Sequence, residues 1–281
     1  LAGNLEQPVL VNRPLDAGRQ VERLPRLEAF DVFQHVPRVR FDRGLPQPGQ
    51  PRRLAVVAAL EQIVEATAAL GYAEPTPVQA EVVPAVLAGR DVWASAPTGS
   101  GKTAAFALPL LERLASAPPR AERGPSALIL APTRELAAQI GAELEAYARR
   151  LPRRAVTRVV FGGVSINPQM LALRGGADVL VATPGRLLDL VARNAVALGG
   201  AATLVLDEAD RLLAHGFQEE LDAILAMLPA RRQTLLFSAT LREGVERLAR
   251  AALAEPVRVE VRAEGADAPE ITQRAIAVDA P

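Results

Sequence analysis

The most chemically specific feature of the sequence is a glycine-rich octapeptide that contains the only lysine of the chain, Lys102. Every other basic side chain in the 281 residues is an arginine. The octapeptide reads Ala96-Pro97-Thr98-Gly99-Ser100-Gly101-Lys102-Thr103, a Walker A sequence with alanine in place of its usual first glycine. In such a loop, backbone N–H groups surround phosphates, the lysine reaches the β- and γ-phosphate oxygens, and the final hydroxyl ligates Mg²⁺. The alternative is a glycine-rich turn before a helix. The retained lysine favours the phosphate site, because a guanidinium does not replace an ammonium there.

A pair of carboxylates, Asp207 and Glu208, directly follows the apolar run 203–206. This is a Walker B arrangement. An aspartate at a strand end can hold Mg²⁺ opposite Thr103, and the next glutamate can orient or deprotonate an attacking water. The alternative is a solvated acidic turn. Together with Lys102, these residues indicate metal-assisted hydrolysis of a phosphoanhydride.

Asp210 is a third acid within four residues, and without a partner it would add to the local repulsion. We expect a hydrogen-bond donor for it. The hydroxyls of Ser238 and Thr240, at the end of another predicted strand, are the candidates. The Ser-Ala-Thr sequence alone is a weak signal, since it more often marks a turn or an N-cap.

Short apolar, β-branched runs alternate with helical stretches along most of the chain. The predicted strands are 91–95, 127–131, 155–161, 178–182, 203–206, 233–238 and 256–261. Such runs are typical of strands buried on both faces of a parallel sheet, and the segments between them are long enough for crossover helices. The sequence therefore predicts an α/β fold, a doubly wound, mostly parallel sheet with helices on both faces. Ligands bind beyond the carboxyl ends of such strands, where the unusual residues lie.

The flanking segments differ from this alternating region. Residues 1–53 are rich in Pro and Arg and are predicted to be an irregular extension, and an Ala-rich helix over 54–70 begins a domain that continues to 262. Residues 263–281 are predicted to be a linker.

Composition limits the remaining classes. The chain has no cysteine, which excludes disulfides and thiolate metal sites, and its net charge of zero means that any polyanion site is local. No uncharged apolar run approaches the roughly 18 residues of a membrane span, and the N-terminus lacks the pattern of a signal peptide. We therefore expect a cytoplasmic protein with no membrane partner.

Seven segments in order resemble the DEAD-box RNA helicase family. They are Tyr72-Ala73-Glu74-Pro75-Thr76-Pro77-Val78-Gln79, the octapeptide 96–103, PTRELA at 132–137, GG at 162–163, TPGR at 183–186, DEAD at 207–210 and SAT at 238–240. The resemblance covers about residues 54 to 262. It implies the first of two RecA-like P-loop domains, ATP and Mg²⁺ as cofactors, RNA as partner, and ATP-driven unwinding of RNA duplexes or remodelling of RNA–protein complexes.

The resemblance also implies roles for individual residues. Gln79, in the segment that begins at Tyr72, would read the adenine edge, since a carboxamide donates and accepts at once. Ala96 to Thr103 would hold the phosphates, Glu208 would activate water, and Asp207 with Thr103 would hold Mg²⁺. The RNA backbone would be contacted by Pro132, Thr133, Arg134, Gly163, Thr183 and Arg186. The nucleotide and RNA sites would be coupled by Asp210, Ser238 and Thr240.

Several alternatives stay open. Arg134 and Arg186 taken singly are equally typical of surface ion pairs. An arginine-rich patch is either an RNA footprint or a solvated helix end; it consists of Arg149, Arg150, Arg153, Arg154 and Arg158. The family usually has an upstream aromatic residue that stacks on adenine, so either Phe41 reaches the site or the stacking is lost.

Nothing after residue 262 resembles a second RecA-like domain. We therefore expect the chain to be the N-terminal part of a longer helicase, with weak nucleotide binding and negligible ATP hydrolysis when alone. The rival functions are a nucleotide-binding switch module without helicase activity and a DNA-directed translocase of the same superfamily. The Gln79 segment and Asp210 argue against the translocase.

Overall fold

A computed structural model describes residues 74–116, 124–149 and 155–261. The predicted extension 1–53, the helix 54–70 and the linker 263–281 lie outside the described residues. So do five individually named side chains, Phe41, Tyr72, Arg150, Arg153 and Arg154.

Seven parallel strands form one sheet in the described part of the chain, in the order β3-β4-β2-β5-β6-β1-β7. They are β1 (Val92–Ser95), β2 (Ala127–Leu130), β3 (Thr157–Val160), β4 (Val179–Ala182), β5 (Thr203–Leu206), β6 (Gln233–Ser238) and β7 (Val257–Glu260). The predicted parallel sheet is confirmed. The predicted bounds of β5 and β6 are exact, and the other strands are shorter than predicted by one to three residues.

Helices connect successive strands. The described helices are α1 (Pro77–Leu87), α2 (Lys102–Ser116), α3 (Arg134–Ala148), α4 (Asn167–Leu173), α5 (Pro184–Ala192), α6 (Ala209–Ala214), α7 (Gln218–Met227) and α8 (Glu243–Ala252).

The apolar core lies on both faces of the sheet, as strand β2 illustrates. Ala127 and Ile129 belong to the cluster that packs under α1, α2 and α3, whereas Leu128 and Leu130 belong to the cluster under α5 to α8. Successive side chains of a strand point to opposite faces, so a wholly apolar strand requires helices on both. Burial of one leucine stabilises the fold by ~1.5–3 kcal/mol, and both leucines are at most 1% exposed.

The strand order divides the carboxyl edge of the sheet into two halves. Strands β5, β6 and β1 are neighbours in one half, and β3, β4 and β2 are neighbours in the other. The loops after β5, β6 and β1 carry the acidic residues, Ser-Ala-Thr and the glycine-rich octapeptide. The loops after β3, β4 and β2 carry the segments predicted to contact nucleic acid. The sheet therefore gathers scattered motifs into two adjacent groups.

Among the helices of the described ranges, none has both the length and the apolar composition needed to cross a membrane.

Candidate functional site

The glycine-rich loop joins β1 to α2. Two of its glycines have positive φ, 79° at Gly99 and 90° at Gly101, a conformation that other residues rarely adopt. At Gly101 a Cβ atom would also meet Nε2 of Gln79 and displace its carboxamide. The backbone conformation therefore requires glycine at position 101, and a larger residue there would move Gln79.

Lys102 turns its ammonium back onto this loop. Its Nζ donates hydrogen bonds to the carbonyl oxygens of Ala96 at 2.7 Å and Pro97 at 2.8 Å, and the residue is 9% exposed. Burial lowers the pKa of Lys102, and the carboxylates of the DEAD segment at 207–210 oppose that shift. The ammonium is therefore within electrostatic reach of the acidic residues that follow β5.

Asp207 lies at the end of β5 and is 3% exposed. Its Oδ1 accepts a hydrogen bond from the Glu208 N–H at 3.0 Å. Burial raises the pKa of Asp207 to about 6, although the Lys102 ammonium and the Glu208 N–H both favour the charged form. An anionic oxygen held in a nearly dry position is well suited to a cation.

Glu208 has a left-handed backbone, with φ 48° and ψ 53°. This conformation costs a non-glycine residue ~1–3 kcal/mol and is concentrated at functional sites. The Glu208 Oε2 accepts a hydrogen bond from Nη1 of Arg211 at 3.2 Å, and its side chain is 16% exposed. The backbone strain directs this carboxylate away from the regular path of α6.

Asp210 has the partner that the sequence predicts, because the Thr240 hydroxyl donates a hydrogen bond to its Oδ2 at 3.1 Å. Ser238, the other candidate, does not pair with Asp210 in the structure. Its hydroxyl donates to the Thr240 carbonyl at 2.7 Å and accepts from the Thr240 N–H at 3.2 Å. The turn after β6 is thus closed by Ser238 and tied to the acidic segment by Thr240.

Gln79 links α1 to the glycine-rich loop. Its Oε1 accepts a hydrogen bond from the Thr76 N–H at 3.1 Å, and its Nε2 donates to the Gly101 carbonyl at 3.2 Å. A carboxamide has two acceptor sites and two donors, so one of each is left for a base edge. The role of Gln79 in adenine recognition stays a prediction.

The loop after β2 begins with the buried Pro132 and continues into helix α3. The Thr133 hydroxyl caps this helix by accepting from the Leu136 N–H at 3.2 Å. Arg134 is exposed and pairs with Glu135 at 3.1 Å, and its guanidinium lies 6.0 Å from the centre of the Phe161 ring. Arg134 is therefore a solvent-facing cation at the mouth of the loop.

Gly162 and Gly163 follow β3 and face open space, since a Cβ on either would meet no atom within 4 Å. The Gly162 N–H donates to the hydroxyl of Thr183 at 3.4 Å, and Thr183 is 8% exposed. The backbone of this glycine turn is thus held by the loop after β4, while its other side is open to a ligand.

Arg186 differs from a surface ion pair, because its side chain is only 8% exposed. Its Nη2 donates to the Val164 carbonyl at 2.8 Å, and its Nε lies 3.7 Å from Asp189 Oδ2. Within the described residues, Nε and Nη1 have no hydrogen-bond partner. In this conformation the guanidinium supports the glycine turn from inside the protein.

Sequence reasoning missed Gln169 of α4. Its Oε1 accepts from the Phe161 N–H at 3.1 Å, and its Nε2 donates to the Phe161 carbonyl at 3.1 Å. A polar residue on a short helix carries no sequence signal for such a contact. The contact becomes apparent only when β3 is placed at the edge of the sheet, with α4 beside it.

Two members of the arginine-rich patch are described, and both contact other parts of the protein. Arg149 lies 4.0 Å from Glu145, and Arg158 donates to the Ala172 carbonyl at 3.0 Å. A role of this patch in RNA binding stays a prediction.

In the ranges 74–116, 124–149 and 155–261, no group of three or more His, Cys, Asp or Glu side chains is arranged to hold a metal ion unaided. A cation at Asp207 would therefore need ligands from outside the carboxylates, such as water and phosphate oxygens.

A family model described as DEAD/DEAH box helicase matches residues 76–248, which is more than half of the chain. The chain belongs to the DEAD/DEAH box helicase family. The matched range of this helicase domain begins at Thr76, next to α1, and ends within α8, so it includes both halves of the carboxyl edge.

Named relatives agree with this assignment. The domain is 48% identical over 200 residues to "DEAD-box ATP-dependent RNA helicase 28" of Oryza sativa subsp. japonica, covering 70% of this chain and 24% of the relative. It is 44% identical over 212 residues to "ATP-dependent RNA helicase DeaD" of Escherichia coli strain K12, covering 75% of this chain and 33% of that protein. The chain thus spans about a quarter to a third of the length of these relatives.

A solved structure supports the fold. A hypothetical ATP-dependent RNA helicase from Sulfolobus tokodaii superimposes with a TM-score of 0.64 at 34% sequence identity, covering 72% of this chain and 57% of that one.

Proposed function

We propose that this helicase domain binds ATP with Mg²⁺ and the backbone of RNA, and that it acts in an ATP-dependent RNA helicase. The observation that carries the proposal is the strand order β5-β6-β1. It brings the glycine-rich loop after β1 and the carboxylates of Asp207 and Glu208 after β5 to the same edge of the sheet.

In this proposal the loop 96–103 binds the nucleotide phosphates through its backbone N–H groups and Lys102. The donor set fits Mg²⁺, which takes few protein ligands and keeps waters and phosphate oxygens: Asp207 and the Thr103 hydroxyl would hold it. Bound Mg²⁺ neutralises charge on the phosphates. Glu208 orients and deprotonates the attacking water, and Gln79 binds the adenine edge.

RNA binding is proposed for the other half of the edge. The open backbone of Gly163 follows β3, and Thr133 with the exposed Arg134 follows β2, so these groups lie at the ends of the two strands that flank β4. Such groups bind phosphates and read no base sequence. Pro132, Thr183 and Arg186 are also proposed to contact the RNA backbone, and Thr183 and Arg186 support the loops through their hydrogen bonds to Gly162 and Val164.

Coupling of the nucleotide site to RNA binding is proposed to depend on the Thr240 to Asp210 hydrogen bond, which lies in the nucleotide half. Ser238 supports it, because its carbonyl accepts a hydrogen bond from the Ala96 N–H at 3.1 Å. We also propose that a second RecA-like domain of the same polypeptide completes the site, in keeping with the greater length of the named relatives.

The variant Glu208→Gln tests the assignment of binding and chemistry to different residues. The carboxamide keeps the shape of the side chain and loses the base, so ATP affinity should stay within about two-fold while turnover falls by ~10²–10⁴. Calorimetry on this chain measures the affinity, and phosphate release by the longer protein measures turnover. Glu219→Gln, at an exposed position of α7, is the matched control.

Turnover by Glu208→Gln close to that of the parent would show that another group activates the water. Failure of the parent chain to bind Mg²⁺–ADP would contradict the nucleotide site itself.

A further inference from the structure

Phe161, the residue between β3 and the Gly162-Gly163 turn, has no described neighbouring strand on the open edge of the sheet. Strand β3 is an edge strand in the described sheet, with β4 on one side only. The Val160 carbonyl accepts from the Thr183 N–H at 3.1 Å, so Val160 directs its backbone polar groups toward β4. Successive residues of a strand direct these groups to opposite sides. Phe161 therefore turns its N–H and its carbonyl toward the open edge.

Gln169 takes the place of the missing strand at this residue. Its carboxamide accepts from the Phe161 N–H and donates to the Phe161 carbonyl, both at 3.1 Å, as a peptide group of a neighbouring strand would. Its Nε2 also lies 3.4 Å from the carbonyl oxygen of Ser165, which closes the far end of the turn. Among the standard side chains, only the carboxamide of Asn or Gln offers this pair of groups, and Gln has the greater reach.

The segment between these two fixed points contains Gly162 and Gly163. Glycine loses more conformational freedom on folding than any other residue, so a glycine pair without support samples many conformations. Gln169 fixes one side of this turn and Thr183 fixes Gly162 from the other side. Ordering a binding loop before the ligand arrives lowers the entropy lost on binding.

We propose that Gln169 is a positioning residue for RNA binding: its carboxamide replaces a neighbouring strand at Phe161 and so holds the Gly162-Gly163 turn in its RNA-binding conformation. This inference rests on the proposed function, in which the open face of that turn contacts the RNA backbone. Gln169 itself does not touch the RNA.

Two variants separate the parts of the contact. Gln169→Met keeps the length of the side chain and removes both the donor and the acceptor. Gln169→Glu keeps an acceptor for the Phe161 N–H and loses the donor to the Phe161 carbonyl. Gln218→Met, which removes an exposed hydrogen bond of 3.0 Å to Asp222 on α7, is the matched control.

The measurement is the anisotropy of a fluorescein-labelled oligouridylate titrated with each protein at several KCl concentrations. We expect RNA affinity to fall about 5- to 10-fold in Gln169→Met and not at all in the Gln218→Met control. The slope of log affinity against log salt should not change in Gln169→Met, because no charged contact to phosphate is lost. Arg134→Ala, by contrast, should reduce the magnitude of that slope by about 0.7, the value for one contact to a single strand.

Amide hydrogen exchange at Phe161 measures the hydrogen bond from the Phe161 N–H to Gln169 directly and in the absence of RNA. We expect faster exchange in Gln169→Met and near-parental exchange in Gln169→Glu. Parental RNA affinity of a folded Gln169→Met would overturn the inference, as would a loss of RNA affinity without faster exchange at the Phe161 amide, which would make Gln169 a direct contact. If Gln169→Met does not fold, parental RNA affinity of Gln169→Glu overturns it. A parent chain that binds no RNA would overturn the proposed function and this inference with it.

Discussion

Asp207 should destabilise the domain in proportion to its ionisation, and Asp207→Asn should remove that cost. Burial raises the pKa of this carboxyl from 3.8 to about 6. Between these two values the native state binds more protons than the unfolded chain, so stability falls as the pH rises through this window. Linkage gives a cost of about 1.5 kcal/mol at pH 5 and about 3 kcal/mol at pH 8.

Asp207→Asn should therefore be stabilised relative to the parent by about 1.4 kcal/mol more at pH 8 than at pH 5. The pH-independent part of the difference includes the lost attraction to Lys102, so the change with pH is the quantity to compare. Urea unfolding followed by circular dichroism at pH 5, 6, 7 and 8, without nucleotide or metal, gives the free energies.

Glu219→Gln removes one exposed carboxylate and is the control, for which a small difference is expected throughout. A free-energy difference between Asp207→Asn and the parent that is the same at pH 5 and pH 8 would refute the reasoning. So would a parent protein that gains stability relative to the variant as the pH rises.

Three further substitutions test other contacts of the nucleotide half. Lys102→Arg should abolish binding of Mg²⁺–ADP although the charge is kept, because a planar fork does not fit a loop that holds an ammonium. Calorimetry giving an affinity within a few-fold of the parent would contradict this. Gly101→Ala should lower the stability by ~1–3 kcal/mol because of its φ of 90°, and should lower the ADP affinity because its Cβ would displace the Gln79 carboxamide. Gly216→Ala, also at positive φ but with open space around it, controls for the backbone strain alone. Thr240→Val should leave ADP affinity within about two-fold and reduce RNA-stimulated ATP turnover in the longer protein, because it removes the hydrogen bond to Asp210; full stimulation would show that the coupling runs elsewhere.

The elements that carry chemistry were largely predictable from the sequence. Strands β5 and β6 have their predicted bounds, because an apolar run followed at once by charged or hydroxyl residues leaves little freedom in where a buried strand ends. The pairing of Asp210 with Thr240 was also predictable, since both follow strands of one parallel sheet. Asp210 needed a hydrogen-bond donor because it is the third acid within four residues, and the candidate donors were the hydroxyls of Ser238 and Thr240.

The direction of individual side chains was not predictable in the same way. The sequence around Arg186 is equally compatible with an exposed arginine that binds phosphate and with a buried one. In the structure Arg186 is buried and donates a hydrogen bond to the Val164 carbonyl. Gln169 depends on the edge position of β3, which follows from the order of all the strands rather than from any local pattern. The span 155–161 was predicted as strand because Phe161 continues the apolar run past Val160, but Phe161 turns its backbone groups to the open edge and pairs them with the Gln169 side chain.

The closed form of the glycine-rich loop has a consequence for how nucleotides are selected. Lys102 uses two of its three donors on carbonyl oxygens of its own loop, so a phosphate must displace Ala96 or Pro97 to obtain more than one hydrogen bond from the ammonium. The measured affinity of a phosphorylated ligand is then its intrinsic affinity multiplied by the fraction of molecules in which Lys102 is released from these carbonyl oxygens. A nucleoside without phosphates gains nothing from that opening, so the closed state does not penalise it. The loop should therefore favour ligands with enough negative charge to compete with the two carbonyl oxygens for Lys102.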